Sequence, residues 1–217
     1  MTEGFLKRFR EAAPEDPAPP LQPEDRVPRH STGLAEFHRL VAGEGRLRVL
    51  DLGPTSPTNI AYLTGQGHKV YQEDILRAAT SSRYLLKDKD GKTSLDAERF
   101  LSENLQYTAT VLDAALCWDV ADYLPEAFVR PAVARVHRAL KPRGVLLAFF
   151  HTRDAGPEAP HYRYHLVDRE NLDLQLGPQF RLQRVFQNRH IENLFKDFSS
   201  VKFFLARDHV REVLVVK

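Results

Sequence analysis

Two apolar runs joined through an amphipathic helix constrain this chain most. Residues 110–118 are almost continuously apolar apart from Asp113, and residues 145–150 are wholly apolar. Between them, 125–140 sets Phe128, Val129, Val133, Val136 and Leu140 at helical spacing, and Lys141-Pro-Arg-Gly144 closes the helix. Strands without alternation are buried on both faces, as in a parallel sheet covered by helices. A strand–helix–strand crossover of this kind is right-handed. The same unit recurs upstream. Residues 47–52 read as a strand running into a turn at Gly53. Ser56 then caps a helix that starts at Pro57, carries Ile60 and Leu63 inward and stops at Gly65 or Gly67. Residues 68–74 read as the next strand, with a helix at about 76–86 and a polar turn at 87–92. The stretch 95–105 fits either a weak strand followed by a helix or a helix throughout. The expected architecture is a doubly wound α/β sheet. After residue 150 the pattern turns to 162–167, 172–176 and 180–186 as antiparallel strands and a helix at 191–198. A hairpin of 201–206 and 212–216 then makes an antiparallel edge.

Domain organisation follows from composition. Residues 1–30 read as a flexible arm rich in proline and acids, too poor in apolar residues to fold alone. Folding proper is expected from 31, where Ser31 or Thr32 caps a helix through 42 that buries Leu34, Phe37, Leu40 and Val41. Residues 31–217 then form a single domain, with 151–186 as a lid or insertion after the fifth strand. The longest apolar run is residues 145–150, too short to span a bilayer, so no membrane is expected and a cytoplasmic setting follows by default. A formal net charge of +2 gives no reason to expect a nucleic-acid partner. Cys117 is the only cysteine, which excludes an intrachain disulfide and a cysteine-based zinc site; it reads as a small buried hydrophobe.

In open α/β sheets, ligands sit beyond the carboxyl ends of the strands. The residues there are Asp51, Gly53, Pro54 and Thr55 after the first strand, Glu73 and Asp74 after the second, Trp118 and Asp119 after the fourth, and His151 after the fifth. Asp74 stands 21 positions beyond Gly53, the spacing of an acid that binds ribose hydroxyls. A pyrophosphate ligand wants glycines where Thr55 and Pro57 stand, which disfavours NAD and FAD. A nucleoside without phosphate tolerates a looser turn, and Ser56, Thr58 and Asn59 offer polar groups there. His151, His161 and His165, with Asp154 and Glu158, form the densest histidine region. It reads as a substrate-facing loop and strand rather than a metal site, with His151 as a candidate general base.

Val49-Leu-Asp-Leu-Gly53, the acid Asp74, Leu112-Asp-Ala-Ala-Leu-Cys-Trp-Asp119 and Leu140-Lys-Pro-Arg-Gly-Val-Leu-Leu147 resemble, in order and spacing, the class I S-adenosylmethionine-dependent methyltransferases. The resemblance covers about residues 31–150 and, more weakly, the tail. It implies a Rossmann-like sheet of seven strands in the order 3-2-1-4-5-7-6 with an antiparallel C-terminal pair. It further implies S-adenosylmethionine as cofactor, S-adenosylhomocysteine as product and a small-molecule methyl acceptor. By the same resemblance, Asp51, Gly53, Pro54, Thr55, Ser56 and Asn59 line the methionine moiety, Asp74 the ribose and Asp96 the adenine, while Trp118 and Asp119 face cofactor or substrate. The family's D-x-G-x-G-x-G is here Asp51-Leu-Gly-Pro-Thr-Ser-Pro57. Two functions therefore stand open: methyl transfer, or a catalytically inactive relative serving as a binding or interaction module.

Overall fold

The computed structural model describes residues 26–87, 89–152, 159–205 and 208–217. Its centre is a six-stranded sheet. Four strands run parallel: β2 (Arg48–Leu52), β3 (Lys69–Glu73), β6 (Leu112–Trp118) and β7 (Leu140–His151). Two antiparallel strands, β10 (Ser200–Leu205) and β11 (Val210–Val216), complete the order β10-β11-β7-β6-β2-β3.

Successive residues of the buried strands feed opposite cores. Val145, Leu147 and Phe149 face Leu34 and Phe37 of α1 (Thr32–Val41) and Leu63 of α2 (Pro57–Gly65). Leu146, Ala148 and Phe150 face Phe128, Val129 and Val136 of the helix Glu126–Ala139 and Ile191 of Asn188–Leu194. Each helix starts where the sequence supplies a cap. Ser31 accepts from Leu34 N, and Ser56 accepts from Asn59 N with Pro57 in the first turn.

A second, three-stranded antiparallel sheet lies over the α1 and α2 side. It joins β1 (Arg26–His30), β9 (Asn171–Leu176) and β8 (Tyr162–Leu166). The insertion expected after the fifth strand thus supplies two strands. Residues 26–30, expected within the arm, supply the third. Arg29 explains their order: it is 7% exposed and ion-paired to Asp208 and Glu212, so the segment is held by charge and backbone pairing rather than by apolar burial. The rest of the arm (1–25), most of the loop after the fifth strand (153–158) and the hairpin tip (206–207) lie outside the described residues.

Three expectations are corrected. The main sheet has six strands among the described residues where seven were expected, and none lies beyond β3. The Leu105 N–H bonds the Glu73 carboxylate at 2.8 Å instead of a strand, and Leu105 and Thr110 have φ of 55° and 57°, incompatible with extended pairing. The helix expected at 76–86 is only α3 (Ile75–Ala79), followed by a 3-10 turn and the hairpin of β4 (Leu85–Lys87) and β5 (Thr93–Leu95). The chain turns inward there because Tyr84 is fully buried against Phe100 and Phe128. Residues 180–186 form no strand: the N–H groups of Gln183 and Arg184 both donate to the Asp122 carbonyl, at 2.8 and 3.2 Å.

Candidate functional site

The carboxyl ends of β2, β3, β6 and β7 meet on one edge of the main sheet. The Gly53 N–H donates to the Glu73 carbonyl at 2.9 Å, which sets the turn after β2 against the end of β3. Asp74, half-buried, caps α3 by accepting from Arg77 N at 3.1 Å. Asp96 does the same for α4 (Ala97–Glu103), accepting from Arg99 N at 2.9 Å. Both acids therefore stand at helix starts. Thr55 is exposed and Pro54 buried.

The other expected site residues are drawn into a closed, hydrogen-bonded set. Asp51 is 1% exposed and accepts from Trp118 Nε1 at 2.6 Å and from Asn59 Nδ2 at 2.9 Å. Burial pushes its carboxyl up to about 6, against the pull of the Asn59 and Trp118 hydrogen bonds. Trp118 ends β6 with φ of +42°, a left-handed conformation that costs a bulky residue about 1–3 kcal/mol. Its indole lies over Gly53: a Cβ placed on that glycine would stand 3.2 Å from the ring. Tyr164 of β8 stacks on the indole at 5.1 Å between centroids, with planes 6° apart.

The second sheet is fastened to this turn. Asn59 donates to the Tyr164 carbonyl at 3.0 Å and accepts from Leu166 N at 2.7 Å. Ser56 Oγ lies 2.7 Å from His165 Nδ1, and His165 Nε2 lies 2.9 Å from the Gln175 side-chain oxygen. An amide oxygen only accepts, so Nε2 carries the hydrogen and the serine hydroxyl donates to Nδ1. Ser56 is fully buried, and its polar contacts are to protein.

A second cluster continues from Asp119, which is fully buried and begins the short helix α5 (Val120–Tyr123) without capping it. Its Oδ2 accepts from the Tyr164 hydroxyl at 3.1 Å and lies 3.7 Å from His151 Nε2; its Oδ1 lies 3.3 Å from His161 Nδ1. Burial pulls this carboxyl upward, but His151 and His161 outweigh it and hold the group below the usual carboxylate range. Asp122, also buried, accepts from the His151 backbone N–H; desolvation raises its carboxyl well above the usual range. Tyr123 Oη lies 2.9 Å from His151 Nε2 and 3.0 Å from the Ala159 carbonyl.

The structure brings Asp51, Gly53, Trp118, Asp119 and His151 together at the strand ends. Reading the sequence missed Tyr164, Tyr123 and Asp122 as their partners. Tyr164 left a trace in its alternation with Tyr162; Asp122 and Tyr123 left none beyond lying one helical turn from Asp119.

Compared with solved structures, the chain superposes on a SAM-dependent methyltransferase from Archaeoglobus fulgidus with a TM-score of 0.50, 12% identity and 85% of this chain against 92% of that one. It has a methyltransferase fold. The PH0226 protein from Pyrococcus horikoshii gives the same TM-score of 0.50 at 14% identity, over 84% of this chain and 87% of that one. A 1,6-didemethyltoxoflavin-N1-methyltransferase from Burkholderia thailandensis, solved with S-adenosylhomocysteine, gives 0.45 at 17% identity, over 86% and 79%. No family model matches the sequence, and comparison with curated proteins finds no relative. Within this fold Gly53 and Asp74 stand side by side at the ends of neighbouring strands, joined by the Gly53–Glu73 hydrogen bond. The Trp118 indole fills the space over the glycine.

Proposed function

We propose that the chain binds S-adenosylmethionine along the carboxyl edge of the main sheet and passes its methyl group to a small-molecule acceptor, releasing S-adenosylhomocysteine. The observation that carries this reading is the Gly53–Glu73 hydrogen bond at 2.9 Å, because it brings the glycine turn beside Asp74 within a methyltransferase fold. Asp74 is half-buried, and its carboxylate suits the two ribose hydroxyls. When bound, the sulfonium supplies an electrophilic methyl group. The chain's part is to orient the reactants and keep water out. As the site stands, the methionine end does not fit the ligand; Trp118 has to leave Asp51 and Gly53 before the full cofactor fits.

That same indole favours a second reading. A turn locked by Trp118, Asn59 and the Ser56–His165 pair suits a methyltransferase-like domain that has given up the cofactor and acts as a binding module.

Calorimetric titration with S-adenosylmethionine and S-adenosylhomocysteine separates the two. The methyl-transfer reading expects heat with the wild type and binding about tenfold weaker in Asp74→Ala, the scale of one hydrogen bond to a charged group. It also expects tighter binding in Trp118→Phe, which keeps the ring but has no N–H for Asp51. Silence from both ligands with both the wild type and Trp118→Phe leaves only the binding module.

A further inference from the structure

The formal net charge of +2 conceals a separation of charge across the main sheet. Its parallel strands all run one way, so its two edges differ. Acids gather at the carboxyl edge: Glu73 and Asp74 stand at the end of β3, Asp119 and Asp122 just past β6. Cations gather at the amino edge. Arg46 and Arg48 lead into β2, and Lys69 opens β3 opposite Arg48. Arg138 lies at the end of the helix Glu126–Ala139, its carbonyl accepting from the Thr110 N–H at 3.0 Å just before β6. Lys141 and Arg143 lie in the first turn of β7. All of these except Lys141 are exposed.

Some of that charge is already matched. Asp113, near the start of β6, accepts from Lys141 Nζ at 2.5 Å and from the Arg48 backbone N–H at 2.7 Å. Lys217, at the same edge, gives its ammonium to the Leu140 carbonyl at 2.8 Å. Glu44 and, beside His137, Asp197 are the other acids there. Among the described residues no carboxylate pairs with the side chains of Arg46, Arg48, Arg138 or Arg143.

Arg143 is the most telling of the four. Its φ is +65°, a left-handed conformation that favours glycine and that a long side chain adopts at a cost. The turn uses its backbone, whose N–H donates to the Lys217 carbonyl at 2.8 Å. Glycine would meet that need with less strain. An exposed, unpaired guanidinium kept at such a position answers to something outside the chain.

The layout of the edge selects the partner. Neighbouring strands stand about 4.8 Å apart, so the run β7-β6-β2-β3 spreads its cations over about 15 Å. Guanidinium groups suit phosphate oxygens. The exposed large apolar residues Val27, Ile60, Leu86, Val167, Leu176 and Leu205 all lie off this edge, so it offers nothing to insert into a lipid surface. Tyr71 is half-buried with the Lys69 ammonium 4.9 Å from its ring centroid, so unpaired bases find no free ring to stack on. A cavity of about 300 Å³ behind Arg143 has Glu44 and Asp113 in its wall, which keeps an anion on the outer row. A duplex presents charges already in order, about one per 1.7 Å of axis, whereas an acidic peptide has to be ordered on binding.

We propose that the amino edge of the main sheet is a docking surface for double-stranded nucleic acid, held through its phosphates by Arg46, Arg48, Arg138 and Arg143 together with Lys69, without reading the bases. The surface lies the length of β6, about 20 Å, from the candidate site, and it stands apart from the methyl-transfer reading.

Fluorescence anisotropy of a labelled short duplex, titrated with the full chain, tests this. About four to five phosphate contacts are expected to weaken binding roughly 100- to 500-fold between about 50 and 200 mM salt. Arg143→Gly relieves the left-handed backbone, so the fold is kept; it is expected to bind about fivefold more weakly at low salt and to lower the salt slope by about one. Arg46→Gln combined with Arg48→Gln is expected to lower the slope by about two. Arg181→Gln combined with Arg189→Gln removes two exposed arginines elsewhere and is expected to leave binding unchanged. Duplex DNA and duplex RNA are expected to bind alike; binding of one alone names the source and keeps the proposal. A duplex that does not bind at low salt overturns it. So does a control pair that weakens binding as much as the edge pair. Tighter binding to poly-glutamate or to phosphatidylserine vesicles at equal charge assigns the edge to an acidic protein or a lipid surface and also overturns it.

Discussion

Asp51 shows how much one side chain decides here. Its carboxyl titrates near 6 in the folded chain against an ordinary value of 3.8, with burial as the main cause. A carboxyl whose folded value is raised favours folding fully below its unfolded value, and that contribution is lost as pH climbs from about 4 to about 6. Across the window the loss is about 3 kcal/mol, at ~1.4 kcal/mol per unit. Asp51→Asn cannot ionise and sets its amide against that of Asn59. Chemical denaturation is expected to find the variant less stable than wild type at pH 4, with the gap narrowing by pH 7. A gap that stays constant with pH would place the ionisation elsewhere. The importance of Asp51 was legible in the sequence because it stands at the end of an apolar strand before a glycine. The indole and amide that enclose it were not. Asn59 reaches back eight positions through a helix turn, Trp118 comes from a strand 67 positions on, and no local periodicity records such meetings.

At the scale of elements, the parallel strands and their covering helices could be read because burial on both faces leaves an apolar run that only a sheet interior accommodates. The edges were harder. Residues 180–186 carry Phe180, Leu182 and Phe186 in strand-like alternation, yet their N–H groups turn to one carbonyl of α5. The strand Arg26–His30 looks like tether in composition, since its anchor is a charge. That anchor also sets how α1 meets the sheet: Glu212 of β11 accepts from Arg29 on one oxygen and from the Gly33 N–H on the other. A Cβ at Gly33 would lie 2.7 Å from Glu212 Oε2 and 3.0 Å from Leu147 Cδ1. Replacing a helical glycine by alanine ordinarily stabilises by about 1 kcal/mol. Gly33→Ala is expected to reverse that sign and destabilise by about 1–3 kcal/mol, as overpacking does. Urea titration reads it, and a stabilised variant would show that Glu212 moves aside freely.

Taken whole, the main sheet and the three-stranded sheet are joined at the edge formed by the carboxyl ends of the parallel strands. The Asn59 side chain makes three hydrogen bonds there, one to Asp51 of the main sheet and two across the joint to β8. Asn59→Ala leaves these buried partners unmatched, at about 1–3 kcal/mol each. Hydrogen exchange is expected to quicken in β1, β8 and β9 and to change least in β6 and β7. Uniform quickening would mean that the two sheets unfold as one. The joint also bears on how binding can be observed. Trp118 is the chain's only tryptophan, 3% exposed, bonded to a carboxylate and stacked on a tyrosine. A molecule that reaches Gly53 has to displace that indole, and ultraviolet emission from the unlabelled protein would follow its arrival through a change in colour and intensity. The ring that covers the glycine turn is also a built-in optical reporter.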